Sequence, residues 1–199
     1  MPYEKLTPLQ LDALQEVISI GSGNAATALS RLLNMKIDMK VPTVDIISFN
    51  DIFTSSGGDE IVAGVVIRVL GDIPGSILLI FKKEEALYII EMLTGKKEDY
   101  LTEYGYSVIS EVGNIIASTY LNSINKFTGL KVTPSVPSVT YDMLGDILSN
   151  AFIESGQFDD YVLGIKTVFL QNKTKICGHF YYIPMPGSLM KILNKLGLN

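Results

Sequence analysis

The 199-residue chain carries 16 Lys and Arg against 21 Asp and Glu, a formal net charge of −5 with no basic cluster, which argues against a nucleic-acid binder. With 47% apolar and 19% charged residues it has the composition of a folded globular chain, long enough for one substantial core or two small ones. A polar, mixed-charge start reads as no secretory signal, no apolar run reaches the roughly 18 residues of a spanning helix, and the single cysteine, Cys177, excludes an intramolecular disulfide and suits a reducing cytoplasm.

The first predicted element is a long helix with a sharp start: Thr7 as N-cap, Pro8 at the first helical position and Gln10 closing a capping box. Apolar residues follow near helical period at Leu11, Leu14, Ile18, Ala25, Leu29 and Leu32. Ile61–Leu70 and Gly75–Phe81, joined by Gly71-Asp72-Ile73-Pro74, read as a half-buried hairpin, and Glu84–Leu93 as a short helix. A second long helix begins near Thr102 and runs to about Phe127, where Gly129 offers a stop. Tyr141–Asn150 reads as an extra helix of the second half alone. Asp160–Leu170 and Lys175–Ile183 form a second hairpin, and Ser188–Leu196 a short helix capped by Ser188.

These elements repeat. The first half reads Asp12-x3-Glu16-x2-Ser19-x22-Pro42 and the second Ser107-x3-Glu111-x2-Asn114-x22-Pro137, with all three gaps equal. Farther on, Ile73-Pro74-Gly75-Ser76 parallels Ile176-Cys177-Gly178-His179, and the stretches after these end alike, in Ile90-Glu91-Met92-Leu93-Thr94-Gly95 and Ile192-Leu193-Asn194-Lys195-Leu196-Gly197. One match could be chance; several in the same order argue for a duplicated unit. The expectation is an α+β fold, one domain over 1–199 built from two repeats of long helix, strands and short helix. The repeats span about 7–97 and 102–199 and are related by an approximate two-fold.

Glu111 and Asn114 stand three apart on a predicted helix, on one face, with Ser107 a turn earlier. The pair holds no strong nucleophile, and the lone histidine, His179, lies on a distant predicted strand with no metal-ligand companions. A carboxamide donates and accepts hydrogen bonds at once, so it can orient a water; a carboxylate beside it can grip a partner's cation. That suits hydrolysis of a phosphoryl group activated elsewhere, in the manner of the water-orienting glutamine of small GTPases. Taken alone, Glu-x2-Asn is more often a solvated helix face. Two features favour a site: Gly113 between the pair, which costs a helix about 1 kcal/mol relative to alanine, and the run of small residues Gly113, Ala117 and Ser118, which leave room for another backbone to approach. Gly21-Ser22-Gly23 lacks a P-loop lysine and reads instead as a close helix contact, and Cys177 as a buried strand thiol.

The doubled Ser/Asp-x3-Glu-x2-Asn-x22-Pro pattern, with Gly21-Ser22-Gly23-Asn24-Ala25-Ala26-Thr27-Ala28 beside its first copy, resembles the signature of the CheC family of chemotaxis phosphatases, which includes CheX and FliY. The resemblance implies hydrolysis of the aspartyl phosphate of a CheY-type response regulator, in the cytoplasm, with Asn114 positioning the water and Glu111 pairing with a regulator lysine. It implies no cofactor in this chain, the magnesium ion sitting in the regulator. The first site departs from the pattern: Ser19 replaces asparagine and Ile18 the glycine, so Glu16 and Ser19 form a vestigial or binding-only site. The resemblance also implies a contact with the receptor deamidase CheD through the helix carrying Asp142 and Asp146, with an exposed acidic face as the plainer reading. The rival to a phosphatase is a non-catalytic binding partner of CheD or of the flagellar switch.

Overall fold

The computed structural model describes residues 6–56, 59–155, 161–171 and 174–198. Helix α1 (Pro8–Leu33) opens on the capping box written in its sequence. Thr7 Oγ1 accepts the Gln10 N–H at 3.3 Å, and Gln10 Oε1 accepts the Thr7 N–H at 2.9 Å. It closes on Asn34 at φ 49°, a left-handed conformation that asparagine tolerates. Helix α4 (Glu103–Thr128) follows the same plan, with Thr102 Oγ1 accepting the Gly105 N–H at 3.1 Å and Gly129 (φ 72°) ending it. Both helices have 26 residues, and their caps pair as Thr7 with Thr102 and Asn34 with Gly129, each pair 95 positions apart. That is also the separation of Glu16 from Glu111 and of Pro42 from Pro137.

The remaining elements of the first half are β1 (Asp38–Met39), β2 (Thr43–Ser48), α2 (Phe49–Ser56), β3 (Ile61–Gly71), β4 (Gly75–Lys82) and α3 (Lys83–Thr94). Those of the second are β5 (Val132–Pro134), β6 (Ser138–Met143), α5 (Leu144–Ser155), β7 (Tyr161–Gln171), β8 (Thr174–Pro184) and α6 (Ser188–Lys195). All eight strands join one antiparallel sheet in the order β1-β7-β8-β4-β3-β5, with β2 also along β7 and β6 also along β3. The two hairpins meet at its centre, where β4 pairs β8 from Gly75↔Pro184 to Ile80↔His179. Exchanging β1 to β4 for β5 to β8 returns the same strand order read from the opposite edge.

The sheet is covered on both faces. Ile77, Leu79 and Phe81 of β4 point to a core shared with α1, α3, α4 and α6, while Leu78 and Ile80 point to a smaller core under α2 and α5. This double burial is why β4 reads as a continuous apolar run and not as an alternation, and it corrects the expectation of half-buried hairpins. No helix among the described residues is long and apolar enough to cross a membrane.

Two further expectations are corrected. Tyr141–Asn150 is not one helix: its first three residues finish strand β6, and the helix that follows, α5, has a first-half counterpart in α2. Ser188 does not cap α6. Gly187 is its N-cap, and the Ser188 hydroxyl donates instead to the Pro74 carbonyl at 2.8 Å, tying α6 to the β3–β4 turn. Strands β1, β2, β5 and β6 have no clear sequence signal because they are short edge elements whose pairing partners lie across the other half. Cys177 lies on β8 opposite Val168, but its side chain, like positions 172–173 that sequence gives to the turn of the second hairpin, is outside the described residues.

Candidate functional site

Helix α4 buries Val108, Ile109, Val112, Gly113, Ile116 and Ala117, which turns Ser107, Glu111 and Asn114 outward on the opposite side. Glu111 is exposed, and its carboxylate has no hydrogen bond or ion pair among the described residues. Asn114 is half-buried, and its Oδ1 accepts a hydrogen bond from Ser118 Oγ at 3.4 Å, one turn on. With the carbonyl end of the amide engaged by Ser118, the NH2 end has no partner among the described residues. Ser118 had been notable in the sequence only for its size; the signal for its role was there, in the Asn-x3-Ser spacing that stacks both residues on one helix face.

Gly113 serves this arrangement from below. A Cβ at that position would lie 2.8 Å from Val65 Cγ1 and 3.4 Å from Leu79 Cδ1, so only glycine lets α4 settle this closely on β3 and β4. The glycine therefore makes room for the sheet and not for an approaching partner, which revises the reading made from sequence.

The corresponding stretch of α1 carries Glu16, exposed and unpaired among the described residues, and Ser19, half-buried. Ile18, in the place of Gly113, is 3% exposed and packs into the core beside Ile165 and Phe180. The two helices touch one another. Gly21 lets the α1 backbone approach Tyr120, where a Cβ would meet the ring at 3.0 Å. The buried Tyr120 hydroxyl lies 2.5 Å from Ser22 Oγ and 2.8 Å from Thr167 Oγ1, and its ring stacks on Phe180 with centroids 4.5 Å apart. Burial pushes the Tyr120 pKa up, against the smaller pull of these two hydroxyls. Close helix contact at Gly21-Ser22, expected from sequence, is what the fold uses.

The other candidates lie elsewhere. Asp142 is on strand β6, paired opposite Val62, and its Oδ1 accepts the Met143 N–H at 2.8 Å; Asp146 is in the first turn of α5. Both are exposed, but they sit on different elements and do not share a helix face, contrary to expectation. His179 sits on β8 between Ile80 and Lys166, on the α2/α5 side of the sheet. Burial lowers its pKa first, and Lys166 and Lys82 lower it further, against an opposing pull from Glu60. No cluster of potential metal ligands occurs among the described residues.

The chain is thus of a class of α+β protein with a carboxylate and a carboxamide one turn apart on the outer side of a long helix. Comparison with known proteins gives the class a family. The CheC-like family model matches residues 9–46 and 105–141, the two long helices and the strands after them. The chain is 34% identical over 94% of its length and 94% of the relative's to the CheY-P phosphatase CheC of Bacillus subtilis. It is 28% identical over 68% of its length to the flagellar motor switch phosphatase FliY of the same organism, matching 36% of that longer protein. In structure it is similar to Thermotoga maritima FliY, with a TM-score of 0.80 at 20% identity over 96% of this chain and 98% of the other. The chain belongs to the CheC-like family.

Proposed function

We propose that this chain is a phosphatase for the aspartyl phosphate of a CheY-type response regulator, acting through α4. The observation that carries the reading is the half-buried Asn114, its amide oxygen engaged by Ser118 and its NH2 end without a partner among the described residues, one turn from the unpaired Glu111. The names of the relatives supply the substrate class: CheC is a CheY-P phosphatase and FliY a flagellar motor switch phosphatase.

In this reading Glu111 docks on a lysine of the regulator and so brings Asn114 over the phosphoryl group. The Asn114 amide holds a water in line with the bond to be broken. The water oxygen attacks phosphorus, the bond from phosphorus to the aspartyl oxygen breaks, and inorganic phosphate and a free carboxylate leave. Asn114 neither gains nor loses a proton; its contribution is position. The magnesium ion belongs to the regulator, and this chain supplies no cofactor. Glu16 and Ser19 form a site able to dock without hydrolysis, since a serine hydroxyl is too short to bridge to the same water. The unit is a single two-repeat domain working in the cytoplasm. A contact with CheD through α5 rests on family resemblance, with Asp146 and not Asp142 as its acidic marker.

The test is phosphate release from phosphorylated receiver domains. Asn114→Ala should fold normally and lose about a hundredfold in rate if positioning supplies about 2.8 kcal/mol. Full activity in the folded variant refutes the role.

A further inference from the structure

Leu9 on α1 and Tyr104 on α4 stand seven residues ahead of Glu16 and Glu111, about 10.5 Å along each axis and on the same side of the helix. Leu9 is 65% exposed and Tyr104 62% exposed, each the most exposed large apolar side chain of its helix. A singly exposed apolar residue needs no explanation. Here apolar bulk recurs at the same register, 95 positions apart, in line with an unpaired carboxylate both times. Asp12 and Ser107, both exposed, fill the turn between. The line Leu9, Asp12, Glu16 thus matches the line Tyr104, Ser107, Glu111 in its apolar start, polar middle and closing glutamate, and the next step sets Ser19 against Asn114.

We propose that Leu9 and Tyr104 are the apolar anchors of two receiver-docking faces, one on each long helix, of which only the α4 face hydrolyses. The proposal rests on the phosphatase reading above and adds what holds the regulator there. Charge and continuity identify the occupant. From residue 9 to 19, and again from 104 to 114, neither helix carries a lysine or arginine, while each face ends in a free glutamate. Such a face fits a partner that presents a cation beside an apolar patch, which is the cation Glu111 needs in the reading above. A large side chain inserted beside a charge pair is the usual way a few residues dominate an interface. Loss of hydrolysis at α1 then leaves a face that still holds a regulator.

The full chain titrated calorimetrically with a CheY-type receiver domain bearing beryllofluoride, an unreactive mimic of the acyl phosphate, tests this directly. The wild type should bind two equivalents. Leu9→Ser and Tyr104→Ser should each weaken one of them about tenfold or more, and Tyr104→Ser should raise KM for phosphate release while leaving kcat in place. Tyr104→Phe should bind as the wild type does, since the anchor acts through bulk. Leu32→Ser and Phe127→Ser are the controls: these residues are 41% and 42% exposed on the same helices but about 140° round from the anchors, and they should change neither site. All these positions are exposed, so circular dichroism should find every variant folded. A wild type that binds one equivalent, or serine variants that titrate like the wild type while phosphate release persists, would overturn the anchors alone. A wild type that neither binds nor hydrolyses any receiver domain would take the phosphatase reading down with them.

Discussion

A Cβ on Gly113 would come within 2.8 Å of Val65 Cγ1, and Val65 is wholly buried on a strand inside the sheet. Alanine at a helix interior is worth about 1 kcal/mol over glycine, whereas overpacking a core costs about 1–3 kcal/mol. The clash falls on a fully buried side chain that is branched at Cβ and stiff at χ1, so overpacking wins. Gly113→Ala should lower stability by about 1 kcal/mol in urea unfolding. In a Val65→Ala background the same change should become stabilising, because the clash is gone and the propensity gain remains. Additive effects in this double-mutant cycle would mean the glycine is not there for the contact.

Glu111→Lys should weaken regulator binding by setting like charges face to face, and the weakening should grow as salt is lowered. Glu111 is exposed and unpaired among the described residues, so unfolding curves should not change. Calorimetry at two ionic strengths checks this; an affinity indifferent to the charge reversal shows the carboxylate to be plain surface.

The matching registers of α1 and α4 offer a rescue. In an Asn114→Ala chain, Ser19→Asn places a carboxamide at the matching position of α1. The partner of Ser118 on that helix is Gly23, where an added Cβ meets nothing within 4 Å, so Gly23→Ser can supply the supporting hydroxyl without strain. The pair of changes should restore part of the phosphate release, and Ser19→Asn alone should restore less. Ile18 must stay. It is buried, and removing its side chain costs about 2–5 kcal/mol, with about 1 kcal/mol more if glycine replaces it in the helix. No recovery in a folded chain would place the difference between the two faces somewhere other than these residues.

His179 gives the protein a pH dependence with a definite sign. Its folded pKa lies below the unfolded value of about 6.5, chiefly through burial and then through Lys166 and Lys82, with Glu60 opposing. The folded state therefore binds fewer protons, so stability contributed by this residue is present above pH 6.5 and is lost as pH falls through the folded pKa. Unfolding free energy should rise with pH across that window, and His179→Gln should flatten the rise. A slope that survives the substitution would assign it to other groups.

Much of this protein is legible in one dimension. The caps of α1 and α4, their 95-residue separation and the Glu-x2-Asn pair follow from local chemistry, because capping and helical register depend on residues within one turn. The hairpins are legible for the same reason, being local pairs joined by short turns. What the tertiary structure alone decided is which surfaces meet. Edge strands β2 and β6 pair with the opposite half of the chain, more than a hundred residues on for β2, so no local pattern marks them. Asp142 fell to a strand and Asp146 to a helix for that reason. Gly113 looked from sequence like an opening for a partner, and packing showed it to be the point where α4 rests on Val65. The composition of α4 tells which face turns inward, and so that Glu111 and Asn114 turn out; only the contact with the sheet tells how close the helix sits.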